Sequence, residues 1–277
     1  MRNTIVLPEG GAAAPTGGAA AGGRGSGGRA LRLDNRTHLD EARYRIVQRD
    51  YGNGLVEIGW SFIPALKPNK AGKGLSDQRA ANEERAVRRA RSKLRQLILS
   101  IRADHLLTLT YRENVSDFSR SCADFSKFVR LIKGKMPDWA YVAIAEQQKR
   151  GAWHWHLGVC GRQNVDLLRE CWRHVVEEGN IDVKPPKRTT KHRQLALVKY
   201  LGKYLAKGFK EGNRELNARR FRASRGIQVP AQLLQLPQDY YGRVRTFVEG
   251  QLYSVGGQVG YVWEANDAPA GWACSWR

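Results

Sequence analysis

Two strand-length apolar segments, Trp139–Gln147 and Ala152–Cys160, are separated only by Gln148-Lys149-Arg150-Gly151. A connector that short joins antiparallel neighbours, so the stretch predicts a β-hairpin. The surrounding periodicities build on it. His105–Tyr111 (HLLTLTY) reads as a strand, and Ser116–Lys133 as a helix burying Phe118, Cys122, Phe125, Val129 and Ile132. Asn164 is placed to cap a helix running to about Glu178, with Leu167, Leu168, Cys171 and Val175 inward. A basic loop, Lys184–Lys191 with Pro185 and Pro186, then leads into a last helix that continues to about Lys207. The order strand-helix-strand-strand-helix-helix predicts an α+β fold, with an antiparallel central sheet and helices packed on one side.

Extensions flank this unit at both ends. Residues 9–30 are almost entirely Gly and Ala with a few Arg, Pro, Ser and Thr. Such a tract buries too little apolar surface to offset its ordering entropy, so residues 1–30 are expected to be a disordered tail. Residues 31–75 hold a second hairpin. Tyr44, Ile46 and Gln48 alternate with Arg43, Arg45, Val47 and Arg49, and beyond the turn Tyr51-Gly52-Asn53-Gly54, Val56, Ile58, Trp60 and Phe62 repeat at period two. From Ser76 to about Ile101 the spacing is helical, with Val87, Ala90, Leu94, Leu97, Ile98 and Ile101 on one stripe and a dense row of arginines opposite. The predicted division is therefore 1–30 tail, 31–75 hairpin extension, 76–228 central domain and 229–277 C-terminal extension.

Charge narrows the partners. The chain carries 47 Lys+Arg against 26 Asp+Glu, a formal net charge of +21. A field of that sign draws in polyanions, because each neutralised phosphate releases counterions. Nucleic acid is the expected partner, with simple solvation or an anionic membrane surface as the bland alternatives. Arg88, Arg91 and Arg95 on the first helix, with Lys207 on the last, are the candidate phosphate contacts. No segment approaches the roughly 20 apolar residues that span a bilayer, and the N-terminus lacks a signal-peptide core. Cys122, Cys160, Cys171 and Cys274 are scattered without a C-x-x-C pair, which suits a reducing cytoplasm.

Two constellations carry chemistry. In Trp153-His154-Trp155-His156, alternate strand residues face the same way, so His154 and His156 share one side and sit about 7 Å apart. With Gly151 left-handed in a three-residue loop, Glu146 falls near His154 across the hairpin. Two imidazoles, a carboxylate and open water positions suit Mg²⁺ or Mn²⁺ acting as Lewis acid toward a phosphate. Gln147, Gln148 or His105 could replace Glu146 as third ligand, and the histidines could instead simply line a polar sheet face. His174 and His192 have no comparable partner set.

The second constellation is Val198-Lys199-Tyr200-Leu201-Gly202-Lys203-Tyr204-Leu205-Ala206-Lys207. At about 100° per residue, Tyr200, Lys203, Tyr204 and Lys207 share one stripe. Leu197, Val198, Leu201 and Leu205 occupy another, so the tyrosines are not required for the apolar contact. A free phenol is only about 0.1% ionised at neutral pH, and neighbouring cations would help it act as a nucleophile. The plain alternative is an amphipathic helix with tyrosines at its rim.

Taken together, these motifs resemble the HUH endonucleases, named for His-hydrophobic-His, and among them the replication initiators of single-stranded DNA phages and rolling-circle plasmids. The resemblance rests on Leu106-Leu107-Thr108-Leu109-Thr110, then Glu146 with His154-Trp155-His156, then Tyr200-Leu201-Gly202-Lys203-Tyr204, in the family's order, over about residues 85–226. Phe221–Gly226 (FRASRG) faintly matches a basic segment of the phage relatives. The resemblance implies a ferredoxin-like nuclease domain in which Glu146, His154 and His156 hold the metal. It also implies that Tyr200 or Tyr204, with Lys203 alongside, attacks single-stranded or locally melted origin DNA to give a 5′-phosphotyrosine and a free 3′-OH. No Walker-type phosphate loop is present, so a host helicase and polymerase are expected partners in a bacterial cytoplasm, and no small-molecule substrate. A transposase or relaxase of the same superfamily, or a non-catalytic basic DNA-binding protein, is the competing expectation.

Overall fold

The computed structural model describes residues 41–52, 54–65, 79–185, 193–210, 221–255, 257–266 and 268–276. The predicted tail at 1–30, the start of the basic helix at Ser76 and most of the basic loop lie outside them. What is described is α+β, as the sequence predicts, and contains two five-stranded antiparallel sheets.

The central sheet has the order β6-β3-β5-β4-β7. Its strands are β3 (His105–Tyr111), β4 (Tyr141–Gln147), β5 (Trp153–Val159), β6 (Gly179–Lys184) and the short β7 (Arg222–Ala223). β4 and β5 form the expected hairpin. Gly151 has φ +90°, a region open to glycine at no steric cost, and the resulting register sets Glu146 opposite His154. β6 pairs antiparallel with the other edge of β3, where the sequence reading leaves a loop. Phe221–Gly226 contributes β7, which pairs with β4.

Helices cover both faces of this sheet, which corrects the one-sided packing predicted from element order. One face carries Leu107, Leu109, Ala143, Trp155, Leu157 and Ile181, packed against Phe125, Phe128 and Ile132 of α2 (Phe118–Lys135) and Leu168 and Trp172 of α3 (Val165–Val176). Asn164 caps α3 as expected, accepting from Leu167 N at 3.1 Å. The other face carries Leu106, Val142 and Ile144 against Leu94, Leu97 and Ile98 of α1 (Arg79–Ser100) and Leu197, Leu201 and Leu205 of α4 (Arg193–Lys210). The physical reason is visible in β4. Tyr141–Ala145 is buried at every position, so neither set of alternating side chains is left for water. Gly158 lies beneath α4. A Cβ there would come within 3.2 Å of Leu197 and 3.3 Å of Leu201, so the missing side chain lets the helix settle close to the strand.

The two extensions are parts of one structure. β1 (Arg43–Asp50) and β2 (Leu55–Ile63) join β8 (Gln232–Pro237), β9 (Gln258–Glu264) and β10 (Ala270–Trp276) in the order β8-β1-β2-β10-β9. Helix α5 (Val244–Ser254) covers one face with Val244, Val248 and Leu252, against Tyr44, Ile46, Ile58, Leu236 and Ala273. This sheet is tied to α1 by a buried carboxylate. Glu57 accepts from Tyr51 Oη and Arg95 Nε, each at 2.8 Å, with Arg49 at 3.8 Å. The Arg95 guanidinium also lies 4.0 Å over the Trp272 ring. Arg95 is thus a tie between sheet and helix, unlike the phosphate contact suggested by its place on a charged helix face. Arg95→Ala should lower unfolding stability by about 3 kcal/mol, since removing one partner strands a buried charge. Urea unfolding monitored by tryptophan fluorescence measures this, and a loss below about 1 kcal/mol, the range of exposed pairs, would return Arg95 to the surface class. All four cysteines are free thiols. No helix among the described residues is long and apolar enough to cross a membrane.

Candidate active site

The histidine pair sits on β5, the middle strand of the central sheet, and its orientation is enforced from behind. Trp155, between the two, is 1% exposed on the α2 face. Its ring stacks on Phe125 at 4.1 Å and its indole N–H donates to Ser121 Oγ at 3.0 Å. With that large side chain buried and its one donor satisfied, the strand cannot rotate, and His154 and His156 both point to the α4 face.

On that face the side chains predicted to act together do meet. His156 Nε2 donates to Glu146 Oε2 at 2.9 Å, and its Nδ1 lies 3.3 Å from Thr108 Oγ1 on the neighbouring strand. Lys207 Nζ reaches down from α4 to Glu146 Oε1 at 3.0 Å and to Gln147 O at 3.2 Å. Burial by itself would raise the Glu146 pKa, but the hydrogen bonds from His156 and Lys207 outweigh it and hold the carboxyl below its ordinary value. Glu146 is therefore an anion at neutral pH. Lys207 stands inside this cluster, where the sequence suggests a peripheral DNA contact. Lys203 instead lines a groove between α1 and α4 with Arg91 and Lys199.

His154 is 8% exposed, and its Nε2 is buried without a hydrogen-bond partner. Its Nδ1 lies 3.3 Å from Gln148 Nε2, while Gln148 Oε1 accepts from Arg150 Nε at 3.1 Å. Burial, then the charges of His156 and Arg150, push the His154 pKa below its usual value, so the ring is neutral at pH 7. A buried, neutral imidazole with one free nitrogen is the form a metal ligand requires. Among the described residues, however, no three His, Cys, Asp or Glu side chains converge closely enough to hold an ion as they stand. Glu146 is engaged with His156 and Lys207. Of the alternative third ligands, His105 belongs to the Leu107/Leu109 alternation and so faces the opposite side of the sheet. Gln147 is engaged with Gly151 O at 3.0 Å, whereas Gln148 remains beside His154.

The tyrosines of α4 complete the cluster. Tyr204 stacks on His156, with centroids 4.5 Å apart and planes at 16°, and Tyr200 meets the same ring edge-on at 6.2 Å. Tyr204 Oη donates to Tyr200 Oη at 2.9 Å. The two phenols differ in setting. Burial, the bond to Tyr200 and the negative charge of Glu146 push the Tyr204 pKa above that of a free phenol. Tyr200 is 39% exposed and accepts the hydrogen bond from Tyr204.

No curated protein and no solved structure matches the chain. Residues 104–209, which run from β3 into the end of α4, match the family model for replication-associated protein ORF2. Both histidines, Glu146, both tyrosines and Lys207 fall inside that segment, so the whole candidate site lies in the part of this chain that is similar to replication-associated proteins.

Proposed function

We propose that the chain is a rolling-circle replication initiator of the HUH type that nicks and rejoins single-stranded DNA through tyrosine. The observation that carries this reading is the gathering of Tyr200 and Tyr204 onto the His156 ring, beside Glu146 and Lys207, within the replication-associated segment. An amphipathic helix with tyrosines merely at its rim would not require this convergence on a histidine-bearing strand.

His154, His156 and Glu146 are the residues that would hold Mg²⁺ or Mn²⁺, with Gln148 nearest as an alternative. Such an ion, when bound, supplies Lewis-acid polarisation of a phosphate oxygen. The chain's own groups do the rest. Thr108, able to donate or accept, keeps the His156 ring oriented in either tautomer. Tyr200 presents its oxygen to the scissile phosphorus. The new bond is Tyr Oη–P and the bond that breaks is P–O3′; the phenolic proton is lost to water and the departing 3′ oxygen gains one. A 5′-phosphotyrosine and a 3′-OH result. One phosphodiester replaces another, so rejoining needs no nucleotide cofactor. The 3′-OH is then available to a host polymerase, with a host helicase opening the duplex.

The test is direct. Full-length protein is incubated with labelled single-stranded oligonucleotides and Mn²⁺, then resolved on a denaturing gel. A labelled band that migrates with the protein and disappears after protease digestion is the expected result. Retained DNA binding with no adduct, across single-stranded candidates tiled over a replicon, would leave a non-catalytic DNA-binding protein. An adduct on ends diagnostic of transfer or transposition would move the reading to a relaxase or transposase.

A further inference from the structure

The second sheet is covered by α5 on one face; on the other, α1 reaches Glu57 and Trp272 through Arg95 and leaves the β9 part open. On the open face β9 and β10 bring together three aromatic rings. Trp263 is directly opposite Trp272, and Tyr261 is two residues from Trp263 on the same side. Trp263 is 42% and Tyr261 60% exposed, an unusual display for residues that could have packed inward. Arginines surround them. A cleft of about 820 Å³ between this face and α1 is lined by Arg45, Arg49, Arg85, Arg88 and Arg89 together with Trp263. Arg49 Nε is buried there without a hydrogen-bond partner.

The acidic side chains nearby are fewer than the arginines and offset only part of this charge. Glu57 is already matched by Arg95 and Arg49. Glu264 accepts from Arg245 at 3.3 Å. Glu84 lines the adjoining pocket opposite Arg88 and Arg91.

The cleft is also continuous with the candidate active site. The groove between α1 and α4 is lined by Lys207, Lys203 and Lys199 on one side and Arg91 and Arg95 on the other. Arg91 and Arg95 also line the next pocket, which already includes Trp263 and Trp272. That pocket shares Arg88, Arg95 and Trp263 with the cleft on the sheet. A basic track therefore runs from Lys207 over α1 and ends on exposed aromatic rings.

We infer that the open face of the second sheet is a single-stranded DNA platform, which holds bases on Trp263 and Tyr261 while the arginines of α1 and β1 follow the phosphates. Aromatic faces accept unpaired bases of any sequence, whereas a duplex keeps its base faces stacked on one another. The two rings on β9 lie about 7 Å apart along the strand. The N- and C-terminal segments are thus assigned a job: they grip the strand that enters or leaves the nuclease. The choice of DNA as ligand rests on the proposed nuclease reading.

The experiment keeps the two readings apart. Binding of a 5′-fluorescein oligodeoxythymidine of about 24 nucleotides, long enough for more than one stacking site, is followed by anisotropy in full-length His154→Ala/His156→Ala protein, which has no cleavage to confuse the readout. Trp263→Ala in that background should weaken binding about 10-fold or more, and Tyr261→Ala should weaken it in the same direction. Trp263→Phe keeps a ring and should restore most of the affinity, which a general folding defect would not allow. A matching duplex should bind with little dependence on Trp263. Unchanged oligonucleotide affinity in both Ala variants, or a duplex preference that Trp263→Ala abolishes, overturns the platform. A wild-type protein that binds through Trp263 but forms no adduct overturns the nuclease reading and leaves the platform standing.

Discussion

Replacing His154 and His156 together by Ala should cut nicking roughly a thousand-fold or more, while salt-sensitive DNA binding stays within about threefold of the parent. The reason lies in how the work is divided. In the proposed reading, binding would rest on the arginines and lysines of α1 and α4 and on counterion release, none of which involves the imidazoles. Nicking would build negative charge on a phosphate oxygen, which an ion held by the imidazoles and Glu146 would offset and the Glu146 carboxylate without them would not. His156→Ala should be the more damaging single change, since it removes the ring on which Tyr204 stacks and against which Tyr200 rests. His154→Ala should act through the ion only. The paired measurement is nicking rate as a function of added Mn²⁺, with EDTA as the zero point. His154→Ala should shift the metal dependence to higher concentration, whereas the double variant should not respond at all. Cleavage that persists in EDTA would remove the metal from the site. Because burial holds His154 below the ordinary histidine pKa, its neutral, ligand-competent form persists as pH falls through the usual range of histidine titration. The contribution of His154, read as the difference in Mn²⁺ dependence between parent and His154→Ala, should therefore be lost only on the more acidic side of that range.

The parts legible in the sequence are those set by local rules. The β4–β5 register follows from one glycine: a left-handed Gly151 places Glu146 across from His154, and no other element needs to be known. The stripe of Tyr200, Tyr204 and Lys207 likewise follows from helix geometry. What was not legible depends on partners distant in the chain. Arg95 stands on a helix face crowded with arginines, and a charge looks the same there whether water or a buried carboxylate answers it. Only the fold brings Glu57, itself at a strand position that reads as solvent-facing, to 2.8 Å from it. The joining of β1 and β2 with β8 and β10 has the same character, because strand pairing over most of the chain length leaves no short-range mark. β6 was hidden by its size, since Ile181 and Val183 alone carry its apolar alternation before Pro185 and Pro186. The two-sided covering of the central sheet did leave a signal. The unbroken apolar run of Tyr141–Ala145 belongs to a strand buried on both faces, and it outweighs the inference from element order.

The tyrosine pair gives the sharpest expectation, and the structure makes it asymmetric. Continuous rolling-circle synthesis requires the regenerated origin to be cut while the first 5′ end is still covalently held. Two tyrosines on one side of a helix, four residues apart, can alternate at one site, each resolving the adduct on the other. Tyr200 and Tyr204 are already within one hydrogen bond of each other. Their roles should differ in the first step. Tyr200 is exposed and receives the hydrogen bond, whereas Tyr204 is stacked on His156, gives up its proton less readily and points its hydroxyl at Tyr200. Tyr200→Phe should therefore reduce the first nick about a hundred-fold, leaving a slow adduct on Tyr204. Tyr204→Phe should keep the first nick within about tenfold of wild type, the loss reflecting one missing hydrogen bond to the developing charge. Both single variants should fail to release closed circles, and the double variant should bind DNA but form no adduct. Tryptic digestion separates the two sites cleanly, because Lys199, Lys203 and Lys207 leave Tyr200 in Tyr-Leu-Gly-Lys and Tyr204 in Tyr-Leu-Ala-Lys. Mass spectrometry of the DNA-linked peptide in wild-type protein should find the first-turnover adduct on the glycine-containing peptide and, under conditions of continued synthesis, both. If Tyr204→Phe releases circles at the wild-type rate and the alanine-containing peptide never carries DNA, Tyr204 is a positioning residue for Tyr200, and the site works with a single nucleophile.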